Sequence, residues 1–372
     1  MKPSILLGPP SLDQKDITAV VRVLKTGQLS LGKETLRFEA EMAEFIGAKY
    51  AALASSGTTA LHLAVIASGI QAGDEVITSP FSFVASTNCF LYEKAIPKFV
   101  DIDPLTLNIN ADKIEAAITK KTKAIIGVDI FGYPAEWEKI IKISQKYNLK
   151  IIEEAAEALG ARYRGKKLGS LGYPTVFAFY PNKQMTMGEG GILTTNDKKF
   201  HQLVKGLLNQ GRGPNTNWLR HDFLGYNYRS TEMQAALGRS QLRKINSFLK
   251  KRDRVAGWYR QRLNRIDGVK TMLANDLSHY RSWFVYVISL AQRFNRNRVI
   301  KQLADRGIPS KAYLPSIHLQ PYMKPFGYKN GDFPVSEAAS ASTLALPFFT
   351  QMSKKQVDLV CAQLEKVLQS NS

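Results

Sequence analysis

One lysine, Lys183, stands in the stretch FYPNKQMTMGEGG at residues 179–191, between the apolar runs TVFAFY and GGILTTN. Both runs are rich in β-branched and aromatic residues and end in turn formers. They predict two strands, with the lysine on the loop between them and close to a core. An amine held there can form an imine and carry a proton. A tight strand connection with a solvated lysine suits this stretch equally well. Four other places bear on the choice. Gly57 and Thr58, in ASSGTTAL, lie where a strand gives way to a helix, and a helix N-terminus favours a phosphate. Such small residues also serve as simple caps. Glu153 and Glu154 end the apolar run of IIEEAAEALG. There a carboxylate either points into the crevice at a parallel sheet's edge or is solvated. Phe81 and Phe83, in PFSFVAS, are core residues or a plate for a ligand ring. Asn227 and Arg229, in GYNYRSTE, are turn residues or ligand contacts just before a helix start at Thr231.

Taken together, a phosphate cradle, a lysine, a carboxylate and an aromatic plate are what pyridoxal 5′-phosphate (PLP) requires. The lysine forms the imine and shuttles a proton, the carboxylate keeps the ring nitrogen protonated, the aromatic stacks on the ring and the helix end holds the phosphate.

These groups need a scaffold. In DQKDITAVVRVLK, Ile17, Val20, Val21 and Leu24 fall on one helical face, with Gly27 as the stop. A second amphipathic helix carries Leu36, Phe38, Met42 and Phe45. Strand and helix patterns then alternate through DEVITSPFSFVAS, AIPKFVDID, TKAIIGVDIFG and LKIIEEAAEALG. This predicts an α/β fold with a mainly parallel central sheet. One long helical pattern covers residues 231–266. Beyond it come a strand in WFVYVISL and helices in RNRVIKQLADRG and SKKQVDLVCAQLEKVLQ. The reading is a large domain over 1–245 and a smaller C-terminal α/β domain over 246–372.

The 372 residues, 44% of them apolar, can bury a sizeable core. The two cysteines, Cys89 and Cys361, are far apart and outside any metal-ligand spacing, so no metal is expected and a reducing compartment is. The opening MKPSILLGPPSLDQ is too short in apolar run for a secretory signal, and no stretch reaches membrane-spanning length. A cytoplasmic protein away from the membrane is expected. The net charge of +20 suits an anionic partner. Its basic residues are scattered (KKTK, RGKK, KKRDR) without a stacking platform of aromatics, which disfavours nucleic acid and favours a phosphorylated small molecule.

Nearly the whole chain resembles the DegT/DnrJ/StrS family of PLP-dependent sugar aminotransferases, of fold type I (aspartate aminotransferase-like). The likeness runs in order through TGQLSLGKETLRFEAEMAEFIGAKYAALASSGTTALHLA, AGDEVITSPFSFVAST, IPKFVDIDPLTLNI, IIEEAAEALGARYRGKKLGSLG, FAFYPNKQMTMGEGGILTTN, GYNYRSTEMQAALG, YLPSIHLQPYM and FPVSEAASASTLALPF. It implies that Lys183 is the imine-forming lysine and Glu154 the partner of the ring nitrogen. It implies phosphate contacts at Gly57 and Thr58, ring stacking by Phe83, and Glu157 near the phenolic oxygen. Asn227 would reach the cofactor of a neighbouring subunit in a homodimer with shared sites. Tyr313 and His318 would line the substrate side, with Lys33 and Arg229 as candidate partners of a diphosphate. The implied reaction moves an amino group, with glutamate as the expected donor, to a keto sugar carried on a nucleotide.

Three positions depart from the family pattern. Glu154 stands where Asp is usual, Ala178 where a serine often meets the phosphate, and Glu157 where Gln or His is found. Two other readings belong to the same resemblance. A sugar dehydratase that keeps its cofactor free usually lacks the lysine, which is present here. A non-catalytic regulatory member of the fold would draw on the changes at Glu154 and Ala178.

Overall fold

A computed structural model describes residues 5–213 and 220–371; the first four residues of the opening segment lie outside it. The strands are β1 (Tyr50–Ala54), β2 (Glu75–Thr78), β3 (Ile96–Phe99), β4 (Thr122–Val128), β5 (Lys150–Glu154), β6 (Arg162–Tyr163), β7 (Lys166–Lys167), β8 (Thr175–Ala178) and β9 (Gly191–Thr195), followed by β10 (Val269–Thr271), β11 (His279–Tyr280), β12 (Tyr286–Leu290), β13 (Lys311–Ala312) and β14 (Thr343–Leu346).

Seven of them form the central sheet in the order β1-β9-β8-β5-β4-β2-β3. The pairs β2–β3, β2–β4, β4–β5 and β5–β8 are parallel, and β9 runs antiparallel to both neighbours. The sheet is therefore mainly parallel with helices on its faces, which is the expected α/β architecture. TVFAFY and GGILTTN form β8 and β9, paired from Thr175↔Thr194 to Ala178↔Gly191, and the loop 179–190 carries Lys183. The glycine pair Gly190–Gly191 at the start of β9 has a steric reason. A side-chain carbon on Gly191 would collide with the carbonyl of Ser56 and the N–H of Gly57, so β9 can start against the helix Gly57–Ala67, which follows β1, only without one.

Two apolar cores lie against this sheet. One includes Phe38, Met42, Trp137, Phe177 and Phe179; the other includes Leu61, Val65, Ile126 and Leu193. A further core, with Tyr259, Tyr286, Leu303, Val360 and Leu364, surrounds the four-stranded antiparallel sheet β10-β12-β14-β13. Ile5 joins that last core, and Leu7 accepts the Phe348 N–H at 2.8 Å, so residues 5–7 are tied to the C-terminal region. Among the described residues no helix is long and apolar enough to cross a membrane.

Two local expectations need correction. The pattern at 231–266 is two helices, Glu232–Leu242 and Ile245–Leu263. The first is pinned at its end to the N-terminal helix. Ser240, Gln241 and Lys244 all bond Asp16, at 2.6, 2.8 and 2.6 Å. The second then redirects from Ile245, in the first core, to Val255 and Tyr259, in the C-terminal one. The N-terminal helix Gln14–Thr26 also turns its expected apolar face outward. Ile17, Val21 and Leu24 are about half exposed, while Asp16 and Val23 are buried. The Asp16 network decides the orientation, because a buried carboxylate costs more to leave unpaired than an exposed leucine.

Candidate active site

The carboxyl ends of β1, β2, β5 and β8 open on a cavity of about 570 Å³, lined by residues from these loops and from the C-terminal region. At the end of β1, Ser56 caps the helix Gly57–Ala67. Its hydroxyl takes the Thr59 N–H at 3.1 Å, and the Thr59 hydroxyl takes the Ser56 N–H at 3.0 Å. Gly57 and Thr58 then occupy the first turn, where N–H groups have no intrahelical acceptor, and both line the cavity. A Cβ on Gly57 would lie 2.8 Å from that of Ala178, so the turn packs directly on the end of β8.

The loop after β2 separates its two phenylalanines. Phe81 is fully buried, edge-on to Phe131, whereas Phe83 lines the cavity with 59% of its surface exposed. At the end of β5 the two glutamates diverge, because successive side chains leave a strand on opposite faces. Glu153 turns away from the cavity and accepts the Thr175 hydroxyl at 2.6 Å and the Gly169 N–H at 3.1 Å. Burial pushes its carboxyl up to about 7. Glu154 lines the cavity and accepts the Ala156 N–H at 2.9 Å and the Ser86 hydroxyl at 3.0 Å. Burial, followed by the negative charge of Glu157, raises its carboxyl above the usual range, and Lys183 acts in the opposite direction.

Lys183 extends from the β8–β9 loop into the same cavity. Its Nζ stands 3.6 Å from Glu157 Oε1 and 3.9 Å over the Phe284 ring centroid. The other oxygen of Glu157 accepts the Phe131 N–H at 2.9 Å. Tyr313 also lines the cavity, and burial raises its phenol.

Four predicted residues stand elsewhere in the single chain. His318 is buried between Phe99 and Phe333 and faces Glu337 at 3.0 Å; it does not reach the cavity. Its apolar neighbours bury the ring, and Glu337 pairs with its Nε2. Lys33 is exposed at the start of its helix, outside the cavity lining. Arg229 donates to Asn209 Oδ1 at 2.9 Å and bridges Ala54 through its backbone, which holds it off the cavity. Asn227 is exposed, with its backbone bridged to Asn209.

The arrangement gathers a lysine amine, a buried carboxyl, an exposed aromatic face and a helix N-terminus around one cavity. The sequence matches the DegT/DnrJ/EryC1/StrS aminotransferase family over residues 10–365. The chain belongs to this family. It is a PLP-dependent sugar aminotransferase of fold type I. GDP-perosamine synthase of Caulobacter vibrioides is 38% identical over 370 residues, covering 98% of this chain and 99% of that protein. UDP-N-acetyl-3-dehydro-alpha-D-glucosamine 3-aminotransferase of Acidithiobacillus ferrooxidans is 33% identical, covering 95% and 93%. Among solved structures, Helicobacter pylori PseC, an aminotransferase involved in the biosynthesis of pseudoaminic acid, aligns with a TM-score of 0.92 and 30% identity, over 99% of this chain and 100% of that one.

This aminotransferase has a cavity that fits the cofactor of its family. Glu154 is a buried carboxyl with two neutral donors and no ion-pair partner among the described residues, as a site for a protonated ring nitrogen should be. Phe83 presents an open apolar face where a lone core residue would have closed over. Sequence reasoning missed Ser86, Asn182, Phe284 and Lys311, which also line the cavity. Ser86 was visible in PFSFVAS as a hydroxyl one helical turn from Ser82, and the two do bond at 2.6 Å. Phe284 and Lys311 come from distant segments that only the tertiary fold brings near, so no local pattern marks them.

Proposed function

We propose that this aminotransferase carries an amino group from glutamate to a keto sugar linked to a nucleoside diphosphate, on the way to an amino-sugar glycoside or polysaccharide. The observation that carries the reading is the meeting of Lys183 and Glu154 in one cavity below the helix end at Gly57 and Thr58. The names of the GDP- and UDP-sugar enzymes among its relatives support the substrate class. The net charge of +20 supports attraction of a diphosphate.

In this reading Gly57 and Thr58 hold the phosphate of PLP, Phe83 covers its ring and Glu154 takes its ring nitrogen. When bound, PLP supplies an electrophilic aldehyde and a ring that stores the electron pair left at the donor's α-carbon. Lys183 Nζ supplies the attaching amine and then moves the proton. Glu157 Oε1 anchors that amine, and the Phe284 ring backs it. Tyr313 closes the substrate side.

The same reading includes a second copy of the chain. Ile17, Val21 and Leu24 form an uncovered apolar face, continued by Leu29, Leu31 and Leu36, all about 40% exposed or more. A two-fold dimer would cover this face. It would also give the exposed Asn227 a place in the partner's cavity, with Arg229 and Lys33 as further candidates. The buried, free Cys89 and Cys361 suit the cytoplasm.

The test is a panel of GDP- and UDP-linked keto sugars incubated with ¹⁵N-glutamate and the PLP-loaded protein. Labelled amino sugar nucleotide is the expected product. Transfer to free keto sugars alone, with none to any nucleotide sugar, would overturn the substrate class.

A further inference from the structure

Two arginines are buried without a carboxylate partner among the described residues. Arg252 and Arg281 are 2% and 1% exposed, and neither forms a salt bridge. Burial depresses both guanidiniums, to about 10, which is the mark of a charge taken from water without a counter-charge. Such burial costs free energy for each ion, so what the donors hold in return matters. Here each holds main chain beside the reactive lysine.

Arg252, on the helix Ile245–Leu263, forks across two segments. Its Nη1 donates to the carbonyl of Phe284 at 3.0 Å and its Nη2 to the carbonyl of Lys183 at 3.2 Å. It therefore ties the lysine's own backbone to the residue whose ring lies under the lysine's amine. Arg281 lies between the rings of Tyr133 and Trp283, at 4.7 and 4.9 Å, and its Nη1 donates to the carbonyl of Phe131 at 3.0 Å. Phe131 has φ 53°, a left-handed conformation that a bulky residue adopts only under constraint. In that conformation its N–H reaches Glu157 Oε2 at 2.9 Å. Gln184, next to the lysine, adds a tie by donating to the carbonyls of Glu157 and Ser282.

We propose that Arg252 and Arg281 are positioning residues that set the Lys183–Glu157 contact from its two sides, Arg252 through the lysine's carbonyl and Phe284, and Arg281 through the strained peptide of Phe131. The inference rests on Lys183 being the reactive amine. It makes the C-terminal region a determinant of lysine geometry, since both arginines come from beyond residue 245. Lysine cannot replace Arg252 fully, because an ammonium lacks the planar fork that reaches two carbonyls.

The test compares PLP-loaded Arg252→Gln, Arg281→Gln and Arg252→Lys with wild type, after melting curves confirm folding. The first readout is visible-region circular dichroism per bound cofactor, which reports its orientation. The second is the kcat and KM of the glutamate half-reaction. Both glutamine variants should change the dichroic band and lower kcat at least tenfold, with KM moving less than threefold. Arg252→Lys should fall between them and wild type. Arg281→Gln introduced into Glu157→Gln should cost less than a further twofold, because both changes act on one contact. Multiplicative losses in that double variant, or wild-type dichroism and kcat in the folded variants, would overturn the proposal. Should the glutamine variants not fold, Arg252→Lys decides alone, an intermediate kcat supporting the proposal and a wild-type kcat ending it. Lys183→Ala is measured in parallel. Turnover by that variant would end the functional reading and this inference with it, whereas an inactive Lys183→Ala beside wild-type arginine variants would end the inference alone.

Discussion

Glu157 holds Lys183 with one carboxylate oxygen, at 3.6 Å, and the Phe131 peptide with the other, at 2.9 Å. The position at which the family usually has Gln or His is thus a partner of the amine in this chain. Replacing Glu157 with Gln keeps the hydrogen bond to Phe131 and removes the charge beside Nζ. The half-reaction with the amino donor should slow by roughly tenfold, the cost of about 1.4 kcal/mol of lost interaction. PLP content should stay within a factor of two. Rapid-mixing absorbance checks both, and an unchanged rate would show that the pair does not contribute.

The exposure of Phe83 leads to a second expectation. Because 59% of the residue is open in the cavity, its removal should leave the melting temperature of the cofactor-free protein unchanged. Its ring should matter once a cofactor ring lies against it. Aromatic stacking contributes about 0.5–1.5 kcal/mol beyond area burial. Phe83→Ala should therefore weaken PLP binding roughly two- to thirteenfold in a fluorescence titration. A lower melting temperature with unchanged affinity would assign Phe83 to the core instead.

Much of this was legible in the sequence, for identifiable reasons. The β8–β9 pair is legible in its β-branched and aromatic runs, which put Lys183 on the loop between them. The α/β alternation gave the sheet. The helix Gln14–Thr26 was found with its Gly27 stop, yet its orientation was not, because the Asp16 contacts with Ser240, Gln241 and Lys244 span more than two hundred residues of chain. The same distance hid Phe284 and Lys311 from local reading. The burial of His318 is not legible locally, because a histidine in a loop does not show whether aromatic residues from other segments will enclose it. Here Phe99 and Phe333 do.

Stability should depend on pH through the carboxyl of Glu153. In the folded chain it keeps its proton up to about 7, whereas its ordinary value is 4.5. Between those values the folded state binds more protons than the unfolded one, so stability falls as pH rises through this window. Asp129 and Glu154, also raised by burial, act in the same direction. The Glu153 contribution is on the order of 3 kcal/mol. Glu153→Gln should accordingly gain stability relative to wild type as pH goes from 5 to 8. Melting temperatures of both proteins across that range test it, and parallel curves would contradict it.

If Asn227 serves the partner's cavity, two defective subunits can repair one site. Differentially tagged Lys183→Ala and Asn227→Ala chains, each inactive alone, should recover activity when purified as heterodimers, up to about half that of wild type because one of two sites is intact. Verified heterodimers without activity would place Asn227 outside the shared site.

The central claim is that Lys183 is the amine that takes the cofactor. Reduction of the PLP-loaded protein with borohydride fixes the cofactor to whichever lysine holds it, and peptide mass spectrometry locates the attachment. A phosphopyridoxyl group is expected on Lys183, between Pro181 and Thr186, and none on the chain's other lysines. A modified lysine elsewhere, with Lys183 recovered free, would contradict it.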